Sequence, residues 1–116
     1  MPFYQYRQNN SGGSFDEEMG LVVFVEAGAA LEADHRAEGM GIYFNGVDSG
    51  SDCPCCGDRW STTWGEPAGT REELAAAVNS NLEYAQTWGL PVLVLFAGES
   101  KPVRVVGVSN MALLEG

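Results

Sequence analysis

The chain's 116 residues are enough for one domain with a buried core, and its 45% hydrophobic content argues against intrinsic disorder. Sixteen acidic residues against six basic ones give a net charge of −10, which excludes a broad basic surface for long nucleic acid or an anionic membrane. We expect a single domain over residues 1–116 in a reducing cytoplasm, because three cysteines cannot all pair and neither a signal peptide nor a membrane span is recognisable.

Two strands are predicted near the start of the chain. Aromatic side chains over residues 2–7 favour an extended strand, and the apolar, β-branched run over residues 21–26 is typical of a central strand covered on both faces. The polar segment that begins at Arg7 and ends at Phe15 is longer than the roughly two to five residues of a hairpin turn.

This polar segment is the first candidate site. Its amides, hydroxyls, guanidinium and two glycines suit a small polar or anionic ligand. The candidate ligand-binding residues are Arg7, Gln8, Asn9, Asn10, Ser11, Gly12, Gly13 and Ser14. Asn and Ser side chains also commonly bond their own backbone, so an elaborate turn is the alternative interpretation.

Two helices are predicted from the period of their apolar residues. Residues 27–38 fit a short amphipathic helix, on which His35 is expected to be an exposed, isolated histidine. Thr70 and Glu73 form a capping box at the start of a second helix. Its predicted buried stripe consists of Leu74, Val78, Leu82, Ala85 and Trp88.

Three further strands are predicted. Residues 42–44 form a short apolar run, residues 91–96 a fully apolar one, and residues 103–108 pair with the latter across a turn. The order is then ββαβαββ. We therefore predict an α+β fold with a mixed, mainly antiparallel sheet of about five strands and two helices packed on one face.

The long segment between residue 47 and residue 69 carries a second motif. Cys53 and Cys56 have the spacing of one zinc knuckle, with Cys55 between them, so these three cysteines are candidate zinc ligands. A second knuckle is absent, and buried free thiols or thiol redox chemistry are the alternatives. Zinc is accordingly the one cofactor that the sequence suggests.

Arg59 and Trp60 end this cysteine block. A guanidinium beside an indole can bind a phosphate and stack on a base, as single-nucleotide sites do. The alternative is that Trp60 and Trp64 fill the core beneath the loop. We add Arg59 and Trp60 to the candidate ligand site, which then requires the two polar blocks to meet in space.

The two blocks also carry a family resemblance. The block from Tyr6 to Phe15, the segment from Gly41 to Gly46, and the block from Asp52 to Trp60 resemble, in this order, a family of small uncharacterised proteins of tailed bacteriophages. The resemblance covers about the first half of the chain and implies expression in the cytoplasm of the bacterial host. It marks the two polar blocks as features that the chain shares with such proteins, and it assigns no activity.

These observations predict a non-enzymatic phage accessory protein. Its expected partner is a small molecule such as a cyclic or modified nucleotide, sequestered as a host defence signal, with no long nucleic acid or membrane as partner. A homo-oligomer is expected, since sites of this kind are often completed across a two-fold interface. The alternative is a structural or protein-interaction module with a zinc-stapled cysteine loop.

Overall fold

A four-stranded mixed sheet forms the centre of the molecule. The structure, a computed structural model, describes residues 1–8, 19–45, 48, 50, 60–61, 66–107, 111 and 114. Within them the strands are β1 (Phe3–Arg7), β2 (Val22–Glu26), β3 (Val92–Leu95) and β4 (Val103–Val105), in the spatial order β1-β2-β3-β4. The β1/β2 and β3/β4 pairs are antiparallel and the central β2/β3 pair is parallel.

Two long helices cover opposite faces of this sheet. Helix α1 (Ala30–Met40) buries Ala33 and Ala37, whereas helix α2 (Arg71–Thr87) buries an apolar stripe that begins at Leu74. The α1-side core contains Tyr6, Met19, Val23, Val25, Ala27, Ala33, Ala37, Ile42, Trp60, Leu93 and Leu95. The α2-side core contains Phe3, Leu21, Val22, Phe24, Leu74, Val78, Leu82, Ala85, Leu90, Val92, Val94, Val105 and Leu114.

The α+β class is confirmed, but the placement of both helices on one face is wrong. Alternate residues of a strand point to opposite faces, and β3 is buried at every one of its four positions. Val23 of β2 faces α1 while its neighbours Val22 and Phe24 face α2. Central strands that are apolar on both sides need cover on both sides, and the two helices provide it.

The strand predicted over residues 42–44 is also wrong. Gly41 ends α1 in the left-handed conformation, with φ of 108°, and the Ile42 N–H donates to the Ala37 carbonyl at 3.2 Å. This is the back-bonding of a helix C-cap, with the apolar residue after the glycine folded into the core. Ile42 is 2% exposed. Its apolar character therefore reflects a helix ending, and within the described residues the sheet has four strands rather than five.

The start of α2 follows its sequence signal closely. The Thr70 hydroxyl accepts a hydrogen bond from the Glu73 N–H at 3.1 Å, and the Glu73 carboxylate accepts one from the Gly69 N–H at 3.4 Å. The predicted stripe is buried from Leu74 to Ala85. Trp88 is the exception, with 41% of its surface exposed, because the helix ends at Thr87 and Trp88 lies beyond its packed face.

The outer edge of β1 is paired near both of its ends. At one end Phe3 and Ala68 exchange two backbone hydrogen bonds, of 2.7 and 3.0 Å. Just beyond the other end, Gln8 and Trp60 form an isolated antiparallel bridge. Edge strands left open can pair with other chains, so these two bridges protect the edge. They also fix Trp60 against the end of β1.

Candidate functional site

The structure brings the two polar blocks together at one point. Gln8 follows directly on β1, and its N–H donates to the Leu21 carbonyl at 3.1 Å on the side of β2. On its other side Gln8 pairs with Trp60. The second residue of the first block and the last residue of the cysteine block are therefore neighbours, as the candidate site requires.

The side chain of Gln8 is held in a fixed position. It is the one buried polar residue in the described part of the chain, with 4% of its surface exposed. Its amide nitrogen donates to the Gly20 carbonyl. Gly20 has φ of 86°, and a Cβ there would lie 2.6 Å from the Pro91 carbonyl oxygen, so only glycine fits this approach. The glycine thus allows the backbone geometry that presents an acceptor to Gln8.

Trp60 is a core residue with one polar group unpaired. Only 1% of its surface is exposed, and it packs with Tyr6 and Ile42 in the α1-side core. Its indole nitrogen is buried and has no hydrogen-bond partner among the described residues. A buried N–H left without an acceptor costs about 1–3 kcal/mol, so an acceptor brought to this position would be favoured. The core interpretation is confirmed for Trp60, whereas Trp64 lies outside the described residues.

A buried tyrosine connects this region to α1. The Tyr6 hydroxyl donates to the Asp34 carboxylate at 2.6 Å, and the Tyr6 ring lies 5.8 Å from that of Phe44. Burial, and then the hydrogen bond to Asp34, raise the pKa of Tyr6 far above its usual value. Tyr6 therefore stays a neutral donor at physiological pH. Sequence reasoning missed this pair, because only tertiary structure brings residue 6 to residue 34.

Arg7 lies on the other face of the sheet from Trp60. Its guanidinium carbon is 5.2 Å from the centre of the Tyr84 ring on α2, and the Tyr84 ring meets that of Trp88 edge-on at 6.4 Å. Adjacent strand residues point to opposite faces, so Arg7 and Gln8 diverge. The structure therefore joins Gln8 to Trp60 and directs Arg7 to a cation–π contact with α2.

The remaining predicted site residues fall outside the described residues. They are Asn9, Asn10, Ser11, Gly12, Gly13, Ser14, Arg59 and the three candidate zinc ligands Cys53, Cys55 and Cys56. Within the described ranges, no group of three or more His, Cys, Asp or Glu side chains could hold a metal ion. His35 is exposed on α1, as predicted. None of the described helices is long and apolar enough to cross a membrane.

Comparisons with known proteins identify a family. No curated protein and no solved structure has significant similarity to the chain. One family matches residues 1–112, a span that contains both polar blocks and every element of the sheet. The chain therefore belongs to the family described as Domain of unknown function (DUF7296).

Proposed function

We propose that this protein binds a small polar or anionic ligand beside the Gln8–Trp60 pair and does not turn it over. The observation that carries the proposal is the Gln8–Trp60 bridge, with the buried Trp60 N–H that has no acceptor in the described part of the chain. The indole nitrogen is itself buried, so a ligand oxygen reaches it only when the surrounding side chains move, and such an oxygen would then remove the cost of the unpaired donor. Asn9 to Ser14 and Arg59 continue the chain from these two anchors and complete the proposed site.

The burial of Trp60 limits how it can recognise a ligand. With 1% of its surface exposed, its ring faces are already packed and cannot serve as a stacking platform. Its N–H is a donor that suits a phosphate or carbonyl oxygen. We therefore assign recognition to hydrogen bonding, with Arg59 supplying positive charge for a phosphate.

We propose binding rather than catalysis because of the side chains that surround the Gln8–Trp60 pair. Among the buried, described residues of the α1-side core, Tyr6 is the titratable side chain, and its hydroxyl donates a hydrogen bond to Asp34 at 2.6 Å. Burial and this hydrogen bond raise its pKa, which makes it a poor general acid or base at neutral pH. The Trp60 N–H does not titrate at neutral pH, which suits binding without turnover.

The ligand class that we propose is a cyclic or otherwise modified nucleotide. The resemblance to phage proteins makes a host defence signal the corresponding biological target, bound in the bacterial cytoplasm by a homo-oligomeric accessory protein. Phosphate and nucleobase oxygens are acceptors that suit the Trp60 N–H. The acidic surface does not prevent this, because one local guanidinium can hold one phosphate group.

Calorimetric titration with cyclic dinucleotides and ADP-ribose tests the proposal. Trp60→Phe keeps a core ring but removes the N–H, and we expect it to weaken binding by at least about 10-fold, because a hydrogen bond to a charged acceptor contributes about 1.5–3 kcal/mol. Trp88→Phe is the matched control, since Trp88 is 41% exposed and lies at the end of α2. Binding of no member of the panel, or equal loss in both variants, would contradict the proposal.

Metal analysis separates the zinc-stapled interaction module from this proposal. About one zinc per chain, lost together with folding in Cys53→Ser, would support the module, because ligand loss at a structural zinc site removes folding energy. Metal-free protein that folds normally and binds a nucleotide would support the ligand site. Native mass spectrometry of the purified protein reports metal, subunit number and any retained small molecule in one measurement.

A further inference from the structure

A cavity lies at the far end of the sheet from the Gln8–Trp60 pair. Its volume is about 360 Å³, and it opens where β2 ends at Glu26 and where Phe96 follows β3. Proteins with parallel strands commonly bind ligands just outside the carboxyl ends of those strands. Small-molecule pockets have volumes of about 300–1,000 Å³. The lining residues are Glu26, Arg71, Phe96, Ala97, Glu99, Lys101 and Val103.

The backbone around this cavity is held by one arginine. Arg36 of α1 donates to the carbonyl oxygens of Glu26 at 2.6 Å, Phe96 at 3.0 Å and Glu99 at 2.8 Å. The Glu26 carboxylate also accepts a hydrogen bond from the Ala97 N–H at 2.8 Å. The ends of both central strands are therefore tied together before any ligand arrives, which reduces the ordering cost of binding.

The cavity has a positive side. Arg71 is the first residue of α2, so it adds its charge to the positive end of the helix dipole. Its guanidinium carbon lies 4.3 Å from the centre of the Phe96 ring and 5.8 Å from that of Phe3, and one nitrogen donates to the Leu114 carbonyl at 2.7 Å. These contacts orient Arg71, and Lys101 adds a second cation on the cavity wall.

The same cavity is also lined by two acidic residues, Glu26 and Glu99, whose backbone carbonyls Arg36 contacts. A ligand with a single charge would meet two like charges as well as two opposite charges in this lining, so that its attraction would be partly cancelled. A ligand that carries both charges meets both sides favourably. The Phe96 ring adds an apolar group to the lining.

We infer that this cavity binds a small zwitterion of amino-acid size. Its carboxylate would face Arg71 and Lys101, its ammonium group would face Glu26 and Glu99, and its hydrocarbon part would contact Phe96. This inference uses none of the residues of the Gln8–Trp60 site. The two sites can therefore succeed or fail independently.

Thermal-shift and calorimetric titrations with the free L-amino acids test this inference on the full chain. Acetate and methylamine serve as probes with a single charge. We expect at least one amino acid to bind tenfold or more tightly than either probe, because only the zwitterion pairs with both sides of the cavity. Binding of no amino acid at millimolar concentration, or acetate binding as tightly as the best amino acid, would overturn the inference.

Matched charge substitutions locate the binding. Lys101→Gln removes an exposed cation from the cavity wall, whereas Arg104→Gln removes an exposed cation from β4 outside it. Glu26→Gln is paired in the same way with Glu32→Gln on α1. We expect each cavity variant to weaken amino-acid binding by about 10-fold and each control to leave it unchanged. Lys101 is exposed, so we expect Lys101→Gln to fold as the wild type does. Equal effects in a variant and its control would overturn the assignment.

Discussion

Replacing Tyr6 with phenylalanine should destabilise the protein through the loss of one hydroxyl. The Tyr6 hydroxyl donates to Asp34 at 2.6 Å and joins β1 to α1 across the α1-side core. Phenylalanine keeps the ring contact with Phe44 at 5.8 Å. The substitution therefore isolates the hydrogen bond from the packing.

The expected magnitude follows from the charge and exposure of the acceptor. A hydrogen bond to a charged group contributes about 1.5–3 kcal/mol. Asp34 is only half-buried, so water can partly replace the lost donor, and the lower end, about 1.5 kcal/mol, applies. At about 4 °C per kcal/mol for a domain of this size, the Tm should fall by roughly 6 °C.

The pH dependence provides a second readout of the same substitution. Burial and the hydrogen bond to Asp34 raise the pKa of Tyr6 in the folded state, whereas an unfolded tyrosine titrates at about 10. The full contribution of the Tyr6 hydroxyl to the free energy of unfolding is therefore present below pH 10. Above it the unfolded chain releases a proton that the folded chain retains, so the free energy of unfolding falls by about 1.4 kcal/mol per pH unit.

Urea denaturation of wild type and Tyr6→Phe between pH 7 and pH 11 measures both effects. We expect the variant to be less stable at pH 7 and the two free energies to converge above pH 10. Tyr84→Phe is the control, since Tyr84 is 40% exposed and keeps the ring that Arg7 contacts. A variant as stable as wild type at pH 7, with the same alkaline dependence, would refute this reasoning.

Two further predictions concern local backbone features. Thr70→Ala should lower the free energy of unfolding by about 1 kcal/mol because it removes the α2 cap, and Thr70→Ser should restore it; urea denaturation measures both. Gly20→Ala should cost more than Gly89→Ala in the same assay. Both glycines have positive φ, but only at Gly20 would the new Cβ lie 2.6 Å from a backbone oxygen, whereas nothing lies within 4 Å at Gly89. Equal costs at the two glycines would contradict the close approach.

Local signals in the sequence predicted most of the fold. The apolar runs gave β2 and β3 within one or two residues, and the Thr70–Glu73 pair gave the start of α2, because these signals depend on neighbouring residues. The run at Ile42 was misleading because three apolar residues suit a strand or a buried helix ending equally well. The placement of the helices on opposite faces could have been predicted from β2, because a continuous apolar run indicates a strand that is covered on both faces.

The candidate site was predictable only in part. Polar composition identified the two blocks, but the pairing of Gln8 with Trp60 is a long-range contact that no local pattern specifies. The divergence of Arg7 could have been predicted, since adjacent residues of a strand face opposite ways. The Tyr6–Asp34 bond and the cavity lined by Glu26 and Arg71 depend on which helix covers which face, and that choice is made by tertiary packing.

The most direct test of the proposed ligand site observes the Trp60 indole N–H itself. The chain has three tryptophans, and the Trp60 signal in a ¹H–¹⁵N NMR spectrum is the one that disappears in Trp60→Phe. Titration with cyclic dinucleotides or ADP-ribose should move this signal downfield and slow its hydrogen exchange, as the proton gains an acceptor, while the exposed Trp88 signal stays in place. A ligand that binds and leaves the Trp60 proton unchanged would contradict the account.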